Sequence, residues 1–149
     1  MIYYSSWHFT AIHMCLMIPG LNSSQAIGQF LGLPQNIVSR TLEFLVSVGL
    51  AKEKSGEFSS GPARIHLPAN SPLVAKHHAN WRIRAIESLD QARDNDLHYS
   101  LVMSISEDAA TQMREILLRA LQNMEPIMKK ALDEVVYTFN VDLFCLKKS

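Results

Sequence analysis

One short amphipathic segment carries the polar side chains best suited to chemistry in this chain. Amides and guanidinium groups there can form paired hydrogen bonds with adenine and guanine edges in the major groove of DNA. Three basic residues follow within about 30 positions, and such side chains contact phosphate. The expected base-reading residues are Gln35, Asn36, Ser39 and Arg40, and the expected phosphate contacts are Lys52, Lys54 and Arg64. These residues predict a surface for double-stranded DNA.

Charge gives this hypothesis only local support. The 149-residue chain has 14 basic and 14 acidic residues, so no global field draws it to nucleic acid. Four basic and three acidic residues fall within 1–67. The alternative is therefore kept that these side chains form an ordinary solvated face on a module that binds or scaffolds proteins.

Other reactive residues do not form a recognisable site. His77 and His78 are adjacent and diverge by about 100° on a helix, and the spacing from His8 to His13 is poor for zinc. No nucleophile motif, Cys-His signature or phosphate-binding glycine loop is present. We expect no catalytic residue, no metal and no cofactor, hence no enzyme.

Cysteine and hydropathy patterns predict a cytoplasmic protein. Cys15 and Cys145 lie near opposite ends of the chain, which favours reduced thiols packed as small apolar residues. No apolar stretch reaches the roughly 18 residues that span a bilayer, so no membrane partner is expected.

Three helices are predicted before residue 50. The first covers 7–18 and ends at a Pro-Gly pair, and the second is capped by Ser23 or Ser24 and closed by Gly32. Pro34 then suits the first position of a helix that Gly49 ends. Residues expected to face the interior are Trp7, Ala11, Ile12, Cys15, Leu16, Ala26, Ile27, Phe30, Leu31, Val38, Thr41, Leu42, Leu45 and Val48.

A hairpin completes this first domain. Extended runs over 50–54 and 57–59 flank Ser55-Gly56, a two-residue loop in which glycine accepts a positive φ. A further extended run, 63–67, alternates apolar and polar residues. Helix, helix, tight turn, helix and hairpin is the order of a winged helix-turn-helix, assigned to 1–67.

The second half, 68–149, is expected to form a long helix and a β-α-β unit. A helix of about 24 residues, roughly 36 Å long, follows Ser71-Pro72. Alternation over 97–105 and 135–146 predicts two strands around a helix that begins at Ser106 or Glu107 and is kinked or split near Pro126. The apolar stripe expected on the first helix is Val74, Trp81, Ala85, Leu89 and Ala92.

Two strands cannot cover both faces and both edges of a sheet. A second copy of the chain is the simplest source of the missing cover, so we expect a homodimer. A small-molecule effector pocket between the long helix and the C-terminal strands is a further expectation, with no residue identifying the ligand. The fold class is thus α+β, a winged helix-turn-helix followed by a long helix and a strand-helix-strand dimerisation unit.

Several motifs carry a family resemblance. The run from Gln25 to Gly49-Leu50 resembles the winged helix of bacterial regulators of the multiple-antibiotic-resistance and isocitrate-lyase-regulator types. More specific are Tyr3-Tyr4-Ser5-x-Trp7, Arg93-Asp94 and Val136-Tyr137-x-Phe139-Asn140. Together they resemble a bacterial family with a domain of unknown function, whose members are usually called transcriptional regulators. The resemblance implies a winged helix followed by a family-specific helical and β-strand region.

Overall fold

The structure, a computed structural model, describes residues 2–91 and 93–147 as a mixed α+β chain. Its sheet is a two-stranded antiparallel hairpin. None of the described helices is long and apolar enough to cross a membrane. After a 3-10 turn at Ile2–Tyr4, the elements are α1 (Trp7–Cys15), α2 (Ser24–Leu31), α3 (Gln35–Ser47), β1 (Ala51–Lys54), β2 (Glu57–Ser60), α4 (Leu73–Leu89) and α5 (Glu107–Lys130).

The core lies where α1 and α2 pack on α3. The residues predicted to be interior are largely the buried ones, and Ile12, Ile27 and Leu42 have no exposed surface. Phe30 and Val48 are corrections, because they stand at the ends of α2 and α3 and are 43% and 45% exposed. Cys145 also departs from the prediction, since it is exposed while Cys15 is buried.

Helix boundaries follow local chemistry. Ser23, one of the two predicted caps, accepts a hydrogen bond from the Ala26 amide at 3.1 Å. Gly32 closes α2 in the left-handed conformation at φ 65°, and Gly49 follows α3 at φ 75°. Pro34 stands one position earlier than predicted, as the residue before α3. These ends are specified by single residues, which is why they could be predicted.

The hairpin is joined to the helical core on both sides. Ser55 and Gly56 have φ of 53° and 80°, as a tight hairpin turn requires. The Phe58 amide donates to the Asn22 carbonyl at 2.8 Å, which ties β2 to the chain before α2. After β2, the Gly61 amide donates to the Leu50 carbonyl at 2.8 Å. The run 63–67 is therefore packed against the core, although it forms no strand.

Helix α4 is shorter and packs through different residues than expected. It has 17 residues and is about 26 Å long, and Ser71 caps it by accepting from the Leu73 amide at 3.2 Å. Asn80 is buried and donates to the Tyr4 carbonyl at 3.0 Å. Arg84 lies over the Trp7 ring, with Cζ 4.2 Å from its centroid. Polar side chains thus hold this face.

The predicted apolar stripe of α4 is wrong in part. Val74, Trp81 and Ala85 are half-buried, but Leu89 is 55% exposed. Ala92, the last predicted member, lies outside the described residues. The aspartates that follow Leu89 are poor helix formers, which accounts for the early end.

The predicted β-α-β unit does not form within the described part of the chain. Neither 97–105 nor 135–146 is a strand, and Leu97 and Tyr99 are 88% and 80% exposed. Alternating residue types favour an extended segment, but a strand also needs a neighbouring strand to pair with, and alternation alone does not supply one. The pocket expected between the long helix and the C-terminal segments stays a prediction. Helix α5 begins after the Ser106 cap and continues through Pro126 without splitting.

Contacts divide the chain into two compact units. The first unit contains Met1–Ser88 with Asp133–Thr138, and the second contains Leu89–Leu132 with Phe139–Ser149. Nearly all of helix α4 therefore groups with α1, α2, α3 and the hairpin. The domain border at residue 67 stays a prediction.

Candidate nucleic-acid interface

Helix α3 presents two uncommitted polar side chains on its outer face. Asn36 and Arg40 are one helical turn apart and both are exposed. The opposite face, which includes Val38 and Leu42, is fully buried and fixes the orientation of the helix. Among the described residues, neither side chain has an ion-pair or hydrogen-bond partner, so both are available for an external ligand.

Gln35 and Ser39 are placed differently from Asn36 and Arg40. The Gln35 amide nitrogen donates to the Ser24 hydroxyl, and that hydroxyl lies 2.9 Å from the Ser39 hydroxyl. These bonds join the start of α3 to the start of α2. Gln35 and Ser39 therefore position α3, and their direct contact with bases stays a prediction.

Two residues of this junction were not singled out from the sequence. The sequence identified Ser24 only as a candidate cap of α2, although its hydroxyl joins α2 to α3. Gly28 is buried, and a Cβ at this position would lie 3.2 Å from the Leu33 carbonyl oxygen. The sequence did carry a signal for Gly28, which lies four residues before the turn glycine Gly32. A small residue on a helix indicates close packing, because backbones approach closely only where side chains are small.

The hairpin presents Lys52 and Lys54 on the side away from the core. Directly opposite residues of an antiparallel pair share a face, and Lys52 pairs with Ser59 while Lys54 pairs with Glu57. Both lysines are exposed. The potential at Lys54 is partly offset by Glu57, so Lys52 is the less compensated cation.

Arg64 lies beyond the hairpin, in a cleft beside Tyr3, Thr10 and His13. Its Nη1 donates to the carbonyl oxygens of Gly61 and Ala63 at 3.4 and 3.2 Å. The sequence grouped Arg64 with the two hairpin lysines, but its side chain lies among different neighbours. A phosphate contact by Arg64 stays a prediction.

The outer surface of α3 and the hairpin is close to neutral. Glu43 is exposed and continues the face of Asn36 and Arg40 one turn further along α3. Glu53 and Glu57 add two carboxylates to the hairpin. Binding to a polyanion must therefore depend on a few separate cations.

The remaining reactive groups stay apart. Within residues 2–91 and 93–147, no three His, Cys, Asp or Glu side chains are arranged to hold a metal ion. Burial raises the pKa of Cys15 to about 11, which keeps its thiol protonated and unreactive at neutral pH.

Comparison with known proteins gives one match. The model of a family described as Domain of unknown function (DUF4423) matches residues 1–146. No curated protein and no solved structure matches the chain.

Proposed function

The chain belongs to the DUF4423 family, and from this premise and the geometry of α3 we propose that it is a homodimeric transcriptional regulator that binds specific sequences in double-stranded DNA. Asn36 and Arg40 read base edges from the major groove, with Gln35 and Ser39 at the start of the same helix. Lys52, Lys54 and Arg64 contact phosphate. The proposal includes a cytoplasmic location and assigns no catalytic activity and no cofactor.

One observation carries the proposal. A helix that follows a tight glycine turn buries its apolar face on two other helices and leaves an amide and a guanidinium group exposed one turn apart. These groups form bidentate pairs with adenine and guanine. The hairpin adds two exposed lysines beside this helix, where a duplex backbone would pass.

A duplex-binding measurement tests this function. We expect a fluorescently labelled random duplex to bind at micromolar protein in low salt, because phosphate contacts alone supply non-specific affinity. With three phosphate contacts per protomer, the slope of log K against log salt is about −2.7, or roughly −5 for a dimer. Failure to bind at tens of micromolar would defeat the proposal.

Paired variants separate the two kinds of contact. Lys52→Gln with Lys54→Gln should weaken binding to every duplex and reduce the salt slope by about two per protomer. Asn36→Ala or Arg40→Ala should instead reduce discrimination among sequences by about 1–3 kcal/mol. Lys76→Gln on α4 removes one positive charge outside this set of residues and should leave binding unchanged.

The homodimer is proposed to form through α5. None of its 24 residues is buried, although apolar side chains recur along it at three- and four-residue spacing. Such spacing favours pairing with another helix. The repeating positions are Ala110, Met113, Leu117, Ala120, Met124 and Ile127.

Charge and spacing favour an antiparallel pair of α5 helices. In the register that sets Leu117 against Ala120 of a second copy, Met113 faces Met124 and Ala110 faces Ile127. The same register brings the acidic first turn, Glu107 and Asp108, beside the basic last turn, Lys129 and Lys130. A parallel pair would instead place like charges together.

A protein-binding function is the second candidate, favoured by charge and exposure. Phe30 and Val48 expose apolar surface at the ends of α2 and α3, and Glu43 shares the face of Arg40. A near-neutral face with apolar neighbours suits a protein partner. The duplex measurement separates the two functions, because this candidate requires no salt-dependent DNA affinity.

A further inference from the structure

A cleft of about 830 Å³ opens in the first unit, and Arg64 is the one proposed DNA contact in its lining. It lies between α1, the segment 60–69 after the hairpin, and the first half of α4. Its volume falls within the range of roughly 300–1,000 Å³ that small-molecule sites occupy. The space is therefore large enough for an organic ligand.

The walls of the cleft are apolar, with cationic and neutral polar groups among them. The thioethers of Met14 and Met17 and the rings of Tyr3 and Tyr4 form part of the lining. Thioethers and tyrosine rings make favourable contacts with aromatic groups. These walls suit a flat apolar body.

The polar lining selects the charge of the ligand. Arg64 and four histidines line the cleft, and no aspartate or glutamate does so among the described residues. A cation would meet Arg64 without a compensating carboxylate, whereas an anion would gain an ion pair. The lining therefore favours an organic anion.

Arg64 is oriented to hold a carboxylate. Its Nη1 is occupied by the carbonyl oxygens of Gly61 and Ala63, which fixes the guanidinium plane. Its Nε and Nη2 have no hydrogen-bond or ion-pair partner in the described part of the chain. This edge presents two parallel N–H donors, the arrangement that binds a carboxylate through both oxygens.

We propose that the cleft binds a small aromatic carboxylate, with its ring between the methionine and tyrosine side chains and its carboxylate on Arg64. This site goes beyond the proposed DNA binding, with which it shares only Arg64. The ligand would join the segment after the hairpin to α4, because both elements line the same space.

Histidine titration gives the site a pH dependence. Desolvation lowers the pKa of His77, and the neighbouring His78 lowers it further. A bound anion favours the protonated imidazolium, so binding should strengthen as pH falls from about 7.5 to 6. The titratable and charged groups that line the cleft with His77 are Tyr3, Tyr4, His13, Arg64, His66 and His78.

Naphthalene-2-carboxylate is a suitable probe, with the neutral naphthalene-2-carboxamide as its matched control. Binding to the protein labelled with ¹³C at the methionine methyl groups is followed by NMR. We expect saturable shifts at Met14 and Met17 with the carboxylate, and at least about tenfold weaker binding of the carboxamide. Met103, Met113, Met124 and Met128 lie in the second unit and report binding elsewhere.

Two variants complete the test. Arg64→Gln should weaken carboxylate binding at least about tenfold and leave carboxamide binding unchanged, while Lys76→Gln, outside the lining, should alter neither. Equal binding of the two probes overturns the proposal. The proposal is also overturned if Arg64→Gln and Lys76→Gln weaken carboxylate binding equally. It is overturned as well if the shifts are confined to the second unit, or if Met14 and Met17 show no shift at millimolar carboxylate. The two-probe comparison uses the unmodified protein, so it holds even if a variant fails to fold.

Discussion

His13 and Tyr3 share a hydrogen bond. The His13 Nδ1 lies 2.9 Å from the Tyr3 hydroxyl. Burial raises the pKa of Tyr3 to about 12, so this hydroxyl stays protonated at neutral pH. The bond joins the 3-10 turn at Ile2–Tyr4 to α1.

Because of this arrangement, the free energy of unfolding should decrease as the pH is lowered. Desolvation lowers the pKa of His13 below 6.5, so the unfolded chain binds a proton more readily than the folded one. Stability is then fully present above pH 6.5 and is lost as pH falls toward the folded-state pKa. Each unit of pKa shift contributes up to about 1.4 kcal/mol.

His13→Gln tests this assignment. The variant should lose less unfolding free energy than the wild type between pH 7.5 and 5.5, because it lacks the shifted imidazole. Urea unfolding at each pH measures the difference. An unchanged profile in His13→Gln would rule out this role.

At the scale of elements, Gly61 determines where the segment after the hairpin can run. A Cβ at residue 61 would lie 2.1 Å from the Gly49 carbonyl oxygen and 2.8 Å from the carbonyl carbon of Leu50. These obstacles are backbone atoms, so they cannot rotate away. The close approach allows the Gly61 and Ala63 amides to bond to the Leu50 and Gly49 carbonyls.

Gly61→Ala should therefore destabilise the first unit by about 1–3 kcal/mol, the usual cost of forcing an extra carbon into packed structure. Chemical denaturation measures the loss. Gly20→Ala is the matched control, because its Cβ meets nothing within 4 Å although its φ is 87°. Gly20→Ala should therefore lower the unfolding free energy by only about 1 kcal/mol, the cost of placing a non-glycine residue at a positive φ. Equal losses would show that the close approach to Gly49 is unimportant.

Elements specified by their own residues could be predicted from the sequence, and those specified by distant partners could not. The Ser23 cap, the Gly32 stop and the Ser55-Gly56 turn each depend on a few adjacent positions. The packing face of α4 depends on Tyr4 and Trp7, more than 70 residues away. The predicted stripe left out Asn80 and Arg84, because their partners lie so far away in the sequence.

The candidate site also contains residues that the sequence could place and residues that it could not. Helical periodicity placed Asn36 and Arg40 on the outer face of α3, where they are exposed. It could not separate them from Gln35 and Ser39, because the Ser24 bonds join two helices. Arg64 belongs to a cleft that forms only when α1 and α4 come together.

At the scale of the whole molecule, exposed apolar side chains of the second unit support the proposed homodimer. Ile127 and Met128 are 71% and 67% exposed, and Leu97 is 88% exposed. Burying each such side chain stabilises an assembly by about 1.5–3 kcal/mol. The alternation over 97–105 and 135–146 also fits strands that form in an assembled state. A monomeric mass by light scattering at high micromolar concentration would refute the homodimer.

Charge reversal tests the antiparallel arrangement of α5. Lys129→Glu with Lys130→Glu should weaken dimerisation about tenfold or more at low salt, because attraction to Glu107 and Asp108 of the second copy becomes repulsion. Lys129 already pairs with Glu125 in its own helix at 2.6 Å, so Lys130 should contribute more. Adding Glu107→Lys and Asp108→Lys restores opposite charges across the interface.

Each pair of substitutions also opposes the dipole of its own helix. If the loss of dimer came only from a weakened helix, the fourfold variant would dimerise less well than the double variant. An antiparallel interface instead predicts that dimerisation recovers. Sedimentation equilibrium separates these outcomes, and further weakening would exclude the antiparallel pair.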